Sequence, residues 1–107
     1  MDKKSNELIV KLKEFKQNTW NKIILDKIIL FGSRAKGTAK KNSDVDLILV
    51  SKDFKGEKSF KRPAQFYVDW NYDYDVDIIC LTPQELERKK KQIGLIKNAL
   101  KEGIIIK

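Results

Sequence analysis

Four aspartates carry most of the chemistry open to this chain. Asp44 and Asp46 stand one residue apart in "SDVDLILV", and Asp75 and Asp77 repeat that spacing in "YDVDIICL". Aspartate is disfavoured in strands, yet both pairs open apolar, β-branched runs. Residues two apart in a strand share a face. Two bare carboxylates about 4 Å apart repel by about 4 kcal/mol at an effective dielectric near 20, a large fraction of a small domain's stability. Relief comes from protonation, from lysine or arginine neighbours, or from a divalent cation. Oxygen-only ligands select Mg²⁺ or Mn²⁺. The structural alternative is that Asp44 caps a turn and Asp46 sits in solvent at the strand's mouth. Three carboxylates converging from two neighbouring strands would form a two-metal site, able to activate an attacking hydroxyl and to hold a triphosphate.

Upstream lies a second candidate, the turn Gly32-Ser33 in "IILFGSRAKGTAKK". A glycine and a serine between a buried strand and a helical turn offer converging backbone N–H groups and a hydroxyl to an anion. Two phosphate-binding fingerprints fail here. Arg34 stands where the dinucleotide pattern requires glycine, and Thr38-Ala39 stands where a P-loop requires lysine and hydroxyl. Arg34, Lys36, Lys40 and Lys41 place cations where phosphates would lie, or form a solvated face. A tight turn without a ligand is the plainer reading of Gly-Ser taken alone.

The composition narrows the chemistry further. The 107 residues include no histidine and one cysteine. That excludes Ser-His-Asp and Cys-His catalysis, histidine bases and an internal disulfide. Catalysis would rest on carboxylates, amines, backbone dipoles and bound ions. With 41% hydrophobic and 36% charged residues, the chain has enough apolar mass for one core, expected as a single domain over residues 1–107. A net charge of +8 suits polyanionic partners or an acidic protein face. Direct nucleic-acid binding is not expected, because Phe66, Tyr67 and Trp70 read as core rather than as a stacking platform. The start "MDKKSNELIV" lacks the apolar stretch of a signal peptide, and no run is long enough to span a bilayer. A cytoplasmic protein without membrane contact is expected.

The elements that must position these residues follow from periodicity. Ser5 or Asn6 is expected to cap a helix ending near Asn18, with Leu8, Leu12 and Phe15 on its buried face. "DKIILFG" reads as a buried strand, "SRAKG" as a brief helical turn stopped by Gly37, and "DVDLILV" as a second strand. "SKDFKGEKSFKR" reads as a mobile loop. Pro63 opens a helix to about Trp70, with Phe66, Tyr67 and Trp70 on one face. "YDVDIICL" is a third strand. "TPQE" then gives a capping box, with Thr82 as cap, Pro83 first and Glu85 closing. The helix carries Leu86, Ile93, Ile96 and Leu100, with Gly94 as a break and Gly103 as its end. "IIIK" is a short terminal strand or a docking segment. The sum is an α/β (α+β) fold: a small mixed sheet of three to four strands covered by helices.

"FGSRAKGTAKKNSDVDLILV" resembles the signature of the DNA polymerase β-like nucleotidyltransferase superfamily: strand, Gly-Ser, short helix, then Asp-x-Asp on the next strand. A third acidic residue follows on another strand. The chain looks most like the minimal nucleotidyltransferases, and the resemblance covers nearly all of it. It implies the polymerase β-like palm fold. It also implies that Gly32 and Ser33 hold the β- and γ-phosphates of a nucleotide, with Arg34 and Lys36 near them. Asp44, Asp46 and Asp77 would bind two Mg²⁺ ions, Mn²⁺ being an alternative. Asp77 matches the third position because it lies deeper in the apolar run; Asp75 is its rival. The implied reaction is attack of an acceptor hydroxyl on the α-phosphorus of ATP or another NTP, releasing pyrophosphate. Minimal members pair with helical HEPN ribonucleases as antitoxins, transferring AMP to a toxin tyrosine, so a homo- or hetero-oligomer would fit. A vestigial binding module that neutralises a partner by occlusion is the alternative.

Overall fold

A computed structural model describes residues 3–19, 22–40, 42–92 and 94–107. The first helix, α1 (Lys3–Asn18), buries Leu8, Leu12 and Phe15, one face at helical spacing. It begins before Ser5 and Asn6, so neither is the cap that the sequence predicts. Capping preference lost here to continuation of the helical turn by two flanking lysines, which are good helix formers.

The strands β1 (Lys27–Phe31), β2 (Val45–Val50), β3 (Val76–Leu81) and β4 (Ile104–Ile106) form one mixed sheet in the order β3-β2-β1-β4. β2 lies antiparallel to β1 and parallel to β3, while β4 adds to the far side of β1 antiparallel. The terminal "IIIK" is therefore a strand. The α/β fold class expected from the sequence is the one observed.

Each face of the sheet has its own cover. Odd-spaced residues such as Val45, Leu47 and Leu49 of β2 pack with α1 and with Phe66 of α3 (Ala64–Asp69). On the other face, Ile48 and Val50 pack with Leu86 of α4 (Pro83–Lys89) and Ala99 of α5 (Leu95–Glu102). The break between α4 and α5 is at Gly94, whose φ of 147° no other residue adopts without strain. Leu86 is buried and Ile96 and Leu100 partly so, whereas Ile93 lies outside the described residues. The capping box at Thr82 forms as predicted: Thr82 Oγ1 accepts from the Glu85 N–H, and the Glu85 carboxylate accepts from the Thr82 N–H.

Residues 51–62 depart from the mobile loop expected of them. A short 3-10 turn, Lys52–Phe54, is capped by the Ser51 hydroxyl and drops Phe54 into the core. Arg62, 4% exposed, bonds the Glu57 and Cys80 carbonyls and the Glu85 carboxylate. A charged stretch with one glycine looked solvated; a buried aromatic and a buried guanidinium pin it at both ends.

Tyr67 is also misplaced by its pattern. It is largely exposed rather than core, and its hydroxyl accepts the Ile78 N–H at 2.9 Å. Together with the bond from Arg62 to Cys80, this occupies backbone groups along the outer edge of β3. No helix among the described residues is long and apolar enough to cross a membrane.

Candidate active site

The site lies where β1 ends and where β2 and β3 begin. Phe31, the last residue of β1, pairs with Asp46, and Asp46 pairs with Asp77 across the parallel ladder. Neighbouring strands lie about 4.8 Å apart, so the register sets the two carboxylates side by side on one face. Asp44 precedes β2 by one residue, outside the strand that was expected to hold it. Its charge nonetheless acts on Asp46.

Gly32 joins the anion turn to this acidic face. It leaves β1 with φ 73° and ψ −156°, a conformation open to glycine. A Cβ at Gly32 would overlap the Asp46 carboxylate oxygen Oδ2. The positive φ demands glycine here, and the absent side chain leaves room for the Asp46 carboxylate. The Gly32 carbonyl accepts from the Ala35 and Lys36 N–H groups, closing the short helix α2 (Ser33–Lys36). Gly37 ends that helix in the left-handed region at φ 77°. The opening N–H groups of such a turn have no acceptor ahead of them in the helix.

Electrostatics mark Asp46 as the focus. Its pKa is raised, first by burial, then by the Asp77 charge and then by that of Asp44. Asp75 is exposed, precedes β3 by one residue, and does not figure among the charges acting on Asp46. Its carbonyl accepts the Val45 N–H at 2.8 Å, which starts the β2–β3 pairing. Among the described residues, no three Asp, Glu or Cys side chains gather closely enough to cage a metal unaided. The donor set nonetheless fits a hard cation: oxygen-only, of one sign, with unrelieved negative charge at its centre.

The two cations proposed for phosphate contact have protein partners in this structure. Arg34 donates from Nη2 and Nε to the Ser43 carbonyl, at 2.8 and 3.3 Å, and its guanidinium stacks 4.9 Å from the Tyr74 ring. It thus links α2 to the residue before Asp44 and to the residue before Asp75. Lys36 Nζ lies 2.8 Å from Glu102 Oε2 on the surface. Lys40 donates its N–H to the Ser43 hydroxyl, and Lys41 lies outside the described residues. Tyr74 was not singled out from the sequence. The alternation of aromatic and acid in "YDYD" was the available signal, and the Trp70 indole N–H to Tyr74 carbonyl bond holds it in place. Cys80 takes no part; burial pushes its thiol up to about 12.

Known proteins resemble this chain over much of its length. The family model described as "Nucleotidyltransferase domain" matches residues 9–106. The chain belongs to that family. A protein of Methanocaldococcus jannaschii named "Putative protein adenylyltransferase" is 35% identical over 72 residues, covering 65% of this chain and 73% of that one. A crystal structure of a "putative nucleotidyltransferase" from Sulfolobus solfataricus superposes with a TM-score of 0.65 at 24% identity, over 98% of this chain and 87% of that one. This second likeness speaks for the fold. As a nucleotidyltransferase-domain protein, the chain has transfer of a nucleotidyl group as the chemistry of its class.

Proposed function

We propose that this nucleotidyltransferase moves AMP from ATP to a hydroxyl of a partner protein. The observation that supports it most is the packing of Gly32 against the Asp46 carboxylate. That proximity supports a single site in which the turn would take phosphate and the carboxylate a metal ion. Asp44, Asp46 and Asp77 would hold two Mg²⁺ ions, or Mn²⁺ in their place. The bound ions would neutralise the triphosphate and lower the pKa of the attacking hydroxyl. Gly32 and Ser33 would bind the β- and γ-phosphates through N–H groups and the serine hydroxyl. Arg34 and Lys36 would stand at the edge of that turn, Arg34 mainly by fixing its position.

The acceptor oxygen attacks the α-phosphorus, the bond to the bridging oxygen of the β-phosphate breaks, and pyrophosphate leaves. The acceptor proton passes to Asp77 or to solvent. Positioning and charge neutralisation carry such a step, which suits a site without histidine. The similarity to a relative named as a protein adenylyltransferase supports protein as the acceptor class. We place the chain among the minimal nucleotidyltransferases, with a tyrosine of a HEPN-type ribonuclease as acceptor and antitoxin as its role.

The test uses the purified chain, ATP, Mg²⁺ and a HEPN-type ribonuclease encoded in the adjacent reading frame. Intact-mass spectrometry should show one AMP added to the ribonuclease tyrosine, with loss of its RNA cleavage. Asp46→Ala and Asp44→Ala should each slow transfer about 10³-fold, on the order of 4 kcal/mol in the barrier. No adduct, together with unchanged toxin control by both variants, would leave occlusion by a vestigial site as the function. An adjacent frame without such a ribonuclease would remove the antitoxin role.

A further inference from the structure

β3 carries more than a carboxylate. Ile79 follows Asp77 by two residues on the same face, about 7 Å along the strand. It lines an open groove of about 380 Å³ together with Phe60, Pro63, Lys89 and Ile96. The helices α4 and α5 pack on this face but leave Ile79 and Ile96 only partly buried. Phe60 is 74% exposed, so a large aromatic ring stands in water at the lip of an apolar trough. The groove thus begins at the residues of β3 that follow Asp77, without Asp77 itself in its lining.

Lys89 is the charged residue of its lining. The segments that line it are lysine-rich: Lys58 and Lys61 flank Ser59 and Phe60, Lys90 and Lys91 follow Lys89, and Lys97 follows Ile96. Glu87 pairs with Lys90, leaving the local balance strongly positive. The outer edge of β3 is also already bonded, at Ile78 by Tyr67 and at Cys80 by Arg62. An incoming chain therefore gains little by adding a strand there; recognition falls to side chains.

We propose that this groove docks a segment of a partner polypeptide that carries apolar side chains flanked by acids. Phe60, Ile79 and Ile96 take the apolar side chains, and the surrounding lysines take the carboxylates and set the rate of encounter. A segment seated there runs toward Asp77, so a hydroxyl a few residues away reaches the carboxylate end. That last step rests on the nucleotidyl-transfer reading, whereas the docking itself does not.

Phage-displayed random 12-residue peptides are selected on the full chain without ATP or Mg²⁺, which separates docking from chemistry. The enriched peptides should combine acids with aromatic or aliphatic residues. Phe60→Asp and Lys89→Glu should each weaken them at least tenfold, with circular dichroism and thermal melting unchanged. Val10→Asp, at a residue 55% exposed on α1, should leave affinity alone. Enrichment of nothing or of basic peptides, or binding that survives Phe60→Asp, overturns the docking site. So does binding of phosphatidylcholine–phosphatidylglycerol vesicles through Phe60 with no peptide enriched. With ATP and Mg²⁺ added, a bound tyrosine peptide should gain AMP. Docking without an adduct would speak against the transfer reading and leave the groove in place.

Discussion

The two ends of β3 treat charge in opposite ways. At its start, Asp77 and Asp46 sit abreast, and burial first, then the Asp77 and Asp44 charges, make Asp46 hold its proton more tightly. At its end, Arg62 is buried yet fully engaged, with the Glu85 carboxylate and two carbonyls as acceptors. Glu85 is held below its ordinary range, first by the bond from Arg62. One end spends stability on unrelieved repulsion; the other cancels its charges and locks a loop to a helix cap. The contrast separates the part of the sheet arranged for a ligand from the part arranged for folding.

Breaking the paired end should have the larger effect on stability. Arg62→Ala removes a buried guanidinium and orphans the Cys80 and Glu57 carbonyls. A loss of about 3 kcal/mol is expected, read from urea unfolding at neutral pH. A loss under about 1 kcal/mol would mean that the loop is not held by this residue. The Glu85 part of the interaction has a definite pH window. Its carboxyl pKa is lowered by folding, so that contribution is complete above the unfolded value near 4.3 and fades as pH falls below it.

Changing the repulsive end should do the reverse, by less. The Asp46 pKa is raised by folding, so its ionised form destabilises the native state. The penalty is absent below the unfolded value near 3.9 and complete above the folded one. Asp46→Asn should therefore raise the melting temperature at pH 7 and leave it nearly unchanged at pH 3. Added Mg²⁺ should stabilise the natural chain and not the variant. A melting temperature lowered at pH 7 by Asp46→Asn would show that the carboxylate is already neutralised within the protein.

These ends were unequally legible in the sequence. The pairs Asp44/Asp46 and Asp75/Asp77 stood out because strand alternation turns a spacing of two into a shared face, whereas it took the register of β2 on β3 to set Asp77 beside Asp46. The Thr82 capping box, the Gly94 break and the Gly37 stop were legible because each is decided within four residues. Arg62 was not, because a lysine-rich stretch hides which cation is buried until the tertiary partner, Glu85, is known. The contact of Gly32 with Asp46 also joins different elements, through the register of β1 on β2. Sequence showed a glycine beside a serine; only pairing showed that the Asp46 carboxylate lies against it.

The smallest effect should come from Lys36, which tests whether the repulsive end owes anything to the pair on its margin. Lys36 and Glu102 side chains are about half exposed. Such pairs contribute at most about 0.5 kcal/mol, since water and salt screen them and two long side chains must be ordered. Lys36→Ala should therefore leave urea unfolding within about 0.5 kcal/mol of the natural chain. Its effect on activity divides two roles for the same residue. If the ammonium stays with Glu102, the KM for ATP and kcat should both hold. If it turns to the triphosphate when nucleotide is present, the KM for ATP should rise several-fold, and Glu102→Gln, which frees the ammonium, should not raise it. A rise in KM shared equally by Lys36→Ala and Glu102→Gln would assign the effect to the ion pair, and so to the placement of α2 against α5.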